Sequence, residues 1–74
     1  MKQATVGERM RMIRMEKGIR QVDVAEAIGT LHTRISQYEH GKYTPSAARI
    51  PAICRALGCD PNTLYGWDNP TKDN

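Results

Sequence analysis

No stretch of this 74-residue chain approaches the roughly 20 consecutive apolar residues that a membrane-spanning helix requires. An amino-terminal apolar run of signal-peptide length is also missing, so the protein is expected to stay in a reducing cytoplasm with no membrane partner. Cysteine is scarce: Cys54 and Cys59 stand alone, with no second pair and no histidine at metal-ligand spacing. Neither a zinc site nor a disulfide framework is suggested, and no metal or cofactor is expected. Cys54 lies on the apolar stripe begun by Ile50 and reads as a small buried hydrophobe. Aromatic residues make up 5% of the chain, and phenylalanine is absent. A Ser/His/Asp set and a phosphate-binding glycine loop are missing as well, so an enzyme is not expected. Strand alternation, internal repeats and low-complexity segments are likewise lacking, which leaves an all-α fold.

The length suits one domain, over 1–67, and leaves no room for a second, ligand-binding one. Residues 68–74 contain no apolar member to bury and read as a disordered tail. A core of this size rarely contributes more than about 3–5 kcal/mol, so the fold should be simple and local. The net charge is only +3, from 11 Lys and Arg against 8 Asp and Glu, but its distribution is uneven. Lys2, Arg9, Arg11, Arg14, Lys17 and Arg20 face only Glu8 and Glu16 in the amino-terminal quarter. That imbalance suits either an anionic partner or a solvated helix surface.

Helix signals then follow one another along the chain. Thr5 and Glu8 have the spacing of a capping box, and Met10, Ile13, Arg14 and Lys17 repeat at helical intervals until Gly18, predicting a helix over about 6–17. A second helix is predicted over about 21–28. Arg20 is a poor cap for it, and Asp23 offsets this only in part. A third should cover about 31–39 and close at Gly41. Ile50, Ile53, Cys54 and Leu57 mark a fourth, which Pro51 confines to about 49–57 because proline is tolerated only in the first turn. Asp60 and Pro61 then start a short fifth helix over about 61–65.

The segment from Gln21 to Gly41 carries the most information. Val24, Ala25 and Ile28 share one face of the second helix, Gly29 permits a left-handed turn, and Ile35 and Tyr38 resume the apolar spacing. The layout is a helix-turn-helix. An outward stripe of His32, Thr33, Ser36 and Gln37 offers short or amide-bearing side chains, as base edges in a major groove require. An amide such as Gln37 can make a two-bond contact with adenine, Thr33 can set its methyl against that of thymine, and His32 can donate to guanine.

Arg14, Gly18, Gln21, Ala25, Gly29, Ile35, Glu39, Gly41, Leu57 and Gly58 together form a register that resembles the DNA-binding domains of the lambdoid phage repressor and Cro group, within the XRE family. The resemblance covers about 5–66. It implies a compact five-helix, lambda-repressor-like domain that binds double-stranded DNA in a sequence-specific way and regulates transcription, most simply as a repressor. It implies base contacts from Leu31, His32, Thr33 and Gln37. Phosphate contacts are expected from Gln21 and from His40, Lys42 and Tyr43 after the third helix, with Arg20 and Arg34 assigned to the same role. It also implies an internal ion pair between Arg14 and Glu39.

Two positions depart from the family pattern. Leu31 stands where Ser or Thr commonly caps the third helix, although Thr30 is placed to cap it one residue early. Leu31 is left either to touch a thymine methyl or to pack inward beside Ile35. Arg20 replaces a polar cap before the second helix.

A lone reading helix seldom supplies enough affinity, so a homodimer on an inverted repeat is expected. Leu64, Tyr65 and Trp67 are its candidate interface, the alternative being that they complete the monomer core. A different class of function is an antitoxin-like or adaptor subunit whose main partner is a protein. Met12, Met15 and Val22, which lie beyond the apolar face needed for the core, would serve it.

Overall fold

The computed structural model describes residues 4–67; the expected tail at 68–74 lies outside them. Five helices follow in order: α1 (Val6–Glu16), α2 (Gln21–Ile28), α3 (His32–Glu39), α4 (Ile50–Leu57) and α5 (Pro61–Tyr65). All five were expected, and the bounds differ by at most one residue at an end.

Local chemistry explains where each helix begins. The Thr5 hydroxyl accepts from the Glu8 N–H at 3.1 Å, and Glu8 Oε1 accepts from the Thr5 N–H at 2.9 Å, closing the capping box of α1. Before α2, Asp23 Oδ2 accepts from the Arg20 backbone N–H at 3.0 Å, while the Arg20 guanidinium makes no cap bond and instead grips the same carboxylate. Leu31 is the N-cap of α3 and provides no side-chain cap, so Thr30 does not take over that task. The Thr30 N–H instead bonds the Ala25 carbonyl at 2.9 Å, closing the end of α2 over Gly29, whose φ of 76° requires glycine. Pro51 sits in the first turn of α4, where its missing N–H is harmless, and Asp60 Oδ1 caps α5 through the Thr63 N–H at 2.9 Å.

The helices close around one core of Met10, Val24, Ala25, Ile35, Tyr38, Ile50, Ile53, Cys54, Leu57 and Leu64. Helix α2 packs on α3 and α4, and α1 packs on α3 and α5. Burial pushes the Cys54 thiol up to about 11, so it remains protonated and inert at neutral pH, consistent with a buried hydrophobe. Leu64 is fully buried in this core, which corrects its place in an expected dimer interface: it has no surface left for a partner.

Two tertiary devices have no counterpart in the helix pattern. A Cβ on Gly7 would collide with the Tyr38 carbonyl, so the absence of a side chain is what lets the first turn of α1 lie on the end of α3. Lys17 Nζ donates to the carbonyls of Leu57 at 2.7 Å and Gly58 at 2.8 Å, placing a cation on the negative end of α4.

Candidate nucleic-acid interface

Helix α3 is half buried along its length. Ile35, Tyr38 and Glu39 face the core, whereas Leu31, His32, Thr33 and Arg34 are exposed and Ser36 and Gln37 partly so. At the helical advance of about 100° per residue, Thr33 and Gln37 share the outward meridian, with His32 and Ser36 to one side and Arg34 to the other. Leu31 is 74% exposed at the leading tip. Of the two placements left open for it, packing inward beside Ile35 is therefore excluded.

What fixes this face is the ionic joint beneath it. Arg14 Nε donates to Glu39 Oε2 at 2.7 Å and Nη2 to Oε1 at 3.1 Å, and Nη1 donates to the Ile19 carbonyl at 2.9 Å. The Glu39 side chain is 1% exposed and that of Arg14 14%. Hydrogen bonds to Glu39 raise the Arg14 guanidinium above its usual value, so the guanidinium stays charged. Gln21 Nε2 donates to the same carboxylate, to Oε1 at 3.2 Å. A carboxylate can only accept, which fixes the orientation of the Gln21 amide and leaves its carbonyl and second N–H for another partner. The buried carboxylate thus ties α1, the start of α2 and the end of α3 together, and Arg14 adds the loop after α1 through the Ile19 carbonyl.

The loop after α3 folds back on the helix. Gly41 adopts φ of 79°, and the N–H groups of Lys42 and Tyr43 turn to the Gln37 carbonyl at 2.9 and 3.4 Å. His40 Nδ1 lies 2.8 Å from the Ser36 carbonyl, so Nδ1 carries the proton and Nε2 is directed away from that bond. The Arg34 guanidinium lies over the Tyr43 ring, its carbon 4.7 Å from the ring centroid. A glycine directly after a helix signals such a return, but nothing in the sequence joins Arg34 to Tyr43.

The charge reading needs correction. Arg14 is bound in the joint, Lys17 caps α4, and Arg20 is paired with Asp23 at 2.9 Å, so much of the amino-terminal excess has internal partners. Arg20 nevertheless remains exposed at the start of α2. Arg34 and Lys42, on or beside α3, have no carboxylate partner among the described residues. At the end of α5, Tyr65 and Trp67 stack with centroids 4.7 Å apart, and Trp67 is 73% exposed. Met12, Met15 and Val22 are also exposed. Among the described residues no helix is long and apolar enough to cross a membrane, and no group of three or more His, Cys, Asp or Glu could hold a metal ion.

Comparison with known proteins places this geometry. A family model described as a helix-turn-helix domain matches residues 5–64. The immunity repressor protein of Bacillus phage phi105 is 30% identical over 69 residues, covering 93% of this chain and 48% of that protein. The regulator DicA of Escherichia coli is 33% identical over 67 residues, covering 90% of this chain and 50% of DicA. The chain thus spans about half the length of these curated relatives. Among solved structures, the P22 c2 repressor protein in complex with a synthetic operator superposes with a TM-score of 0.79 at 32% identity, covering 89% of this chain and 100% of that one. With its α2–Gly29–α3 unit and a model match over most of its length, this chain belongs to the helix-turn-helix domain family.

Proposed function

We propose that the protein is a sequence-specific double-stranded DNA-binding regulator of transcription that reads the major groove with α3 and acts as a repressor. The observation that carries this reading is the outward meridian of Thr33 and Gln37, on a helix fixed from beneath by Glu39, with the cations Arg34 and Lys42 on and beside it unpaired with any carboxylate among the described residues. The similarity to phage repressors, and to a repressor structure held on an operator, supports it and favours it over the adaptor reading based on Met12, Met15 and Val22.

Gln37 pairs with an adenine edge, Thr33 and Leu31 lie against thymine methyls, and His32 donates to guanine. On one flank, Gln21 offers its free N–H at the positive end of α2, beside the exposed Arg20. Arg34 stands on the other flank, and His40 and Lys42 follow at the carboxyl-terminal end of α3. Two copies bind an inverted repeat, associating through the stacked Tyr65 and Trp67 at the end of α5. The setting is the cytoplasm of a bacterium or of a phage-infected cell.

Selection of bound sites from a random duplex pool, at two salt concentrations, tests this with wild type and Gln37→Ala in parallel. An enriched inverted repeat, weakened steeply by salt and relaxed at one base position by Gln37→Ala, is the expected result. Enrichment that ignores Gln37 would remove α3 as the reader.

A further inference from the structure

Arg34 and Tyr43 enter the sequence reading as two separate phosphate contacts, but the fold makes them one unit. The guanidinium lies 4.7 Å from the ring centroid, inside the roughly 6 Å reach of a cation–π contact. Arg34 rises from the first turn of α3, while Tyr43 hangs by its backbone from the Gln37 carbonyl further along the same helix. Tyr43 is also one of the residues, with Thr5, Gly7, Tyr38 and Pro45, that line a hollow of about 130 Å³, so it lies beside the body of the domain and is only half exposed. Five coplanar N–H groups line the guanidinium edge, and no carboxylate among the described residues pairs with them. A guanidinium whose carbon sits over an aromatic face is held by its π contact and not by its N–H groups, which stay free for a group with two acceptor oxygens.

We infer that Tyr43 is a positioning residue: its ring face, not its hydroxyl, holds Arg34 as a preset two-pronged clamp for one backbone phosphate at the edge of the reading face. The inference rests on the DNA-reading function proposed above. It reassigns Tyr43, because a phenol that binds phosphate directly needs its oxygen, whereas a stacking platform needs only the ring.

The experiment compares wild type, Tyr43→Phe, Tyr43→Leu, Arg34→Met and the Leu/Met double variant on a selected duplex, by fluorescence anisotropy across a salt series. Thermal melts establish that each variant is folded. Tyr43→Phe should bind within about twofold of wild type and Tyr43→Leu about tenfold more weakly, in the range of a cation–π contact. Arg34→Met should weaken binding equally on all site variants and lower the salt slope by about one, as for a lost phosphate contact. Once Arg34 is gone, Tyr43→Leu should add almost nothing. A Phe variant as weak as the Leu variant would make the hydroxyl the contact and overturn the inference. So would an undiminished effect of Tyr43→Leu in the Arg34→Met background, or a loss confined to one base pair. In the DNA-free protein, ring-current shielding of the Arg34 methylene protons should survive Tyr43→Phe and vanish in Tyr43→Leu. Tight DNA binding by a wild type with unshielded Arg34 would overturn the clamp alone; failure of wild type to bind any duplex would overturn the DNA reading and the clamp with it.

Discussion

Arg14 and Arg34 lie on helices that pack against each other, yet their surroundings make them different kinds of residue. Arg14 is nearly buried, with its donors distributed over Glu39 and the Ile19 carbonyl. Arg34 is exposed, rests on an aromatic ring and has no carboxylate beside it. The contrast extends beyond the pair: Lys17 at the end of α1 caps α4 and Arg20 grips Asp23, whereas Arg34 and Lys42, on and after α3, have no carboxylate partner among the described residues. A run of positive charge in a sequence therefore does not locate a binding face. The partners do, because a cation already satisfied by a carboxylate or a helix end offers little to an incoming phosphate.

The sharpest way to break this comparison is to remove each arginine in turn. Arg14→Ala leaves the Glu39 carboxylate buried without its ion partner, a loss of about 3–5 kcal/mol, comparable to the whole stability expected of so small a domain. Circular dichroism should show little cooperative unfolding left at room temperature. Arg34→Ala, on an exposed site, should melt close to wild type and lose DNA affinity instead. If the two variants melted alike, the division into scaffold and display would be wrong. Gly7→Ala comes next. It touches no charge, but its new methyl meets the Tyr38 carbonyl, a backbone atom that cannot swing aside. Overpacking of this kind costs about 1–3 kcal/mol, and because α1 must lift from the end of α3, the Arg14–Glu39 joint should loosen with it. A denaturant titration in which Gly7→Ala matched wild type would show that the two helices are not held at this point.

The difference between the two regions also marks how much the sequence could disclose. Helix positions, the Thr5–Glu8 capping box, the Gly29 turn and the outward stripe of His32, Thr33, Ser36 and Gln37 follow from spacing within one or two turns, so they are legible. The Arg14–Glu39 pair was legible only through a family resemblance. Gly7 and Lys17 were not, because each is defined by a backbone that arrives from a distant part of the chain: the end of α3 for Gly7, the end of α4 for Lys17. Leu64 was placed with Tyr65 and Trp67 by proximity in sequence, yet a five-residue helix turns it into the core while Trp67 faces out. Leu31 leaves α3 without a side-chain cap, and Thr30 does not supply one: it contributes its backbone N–H to the end of α2 and no hydroxyl bond to α3.

Lys17 gives a smaller test of the same division. Replacing it with Met keeps most of the aliphatic stem and removes the cation from the Leu57 and Gly58 carbonyls. A charge at a helix end contributes up to about 1 kcal/mol, which in a domain of this size corresponds to a fall in Tm of about 4–8 °C. DNA affinity at a temperature where the variant is folded should be unchanged. A variant that melted normally and bound DNA poorly would return Lys17 to the anion-facing surface that its sequence position suggested.

The smallest effect belongs to Asp60, whose carboxylate accepts from the N–H and hydroxyl of Thr63. These bonds hold its carboxyl below the usual aspartate value. A group depressed on folding contributes stability above its unfolded value, near pH 3.9, and loses it as pH falls through the lower, folded value. Asp60→Asn keeps a capping oxygen and no longer titrates, so at neutral pH it should melt close to wild type. Its Tm should then fall less steeply with acid than that of wild type. Some acid sensitivity must remain, because Asp23 is depressed in the same direction by Arg20. Parallel acid limbs in the two proteins would mean that the Asp60 cap is not formed in solution, and with it would go the anchoring of α5 that sets Leu64 in the core.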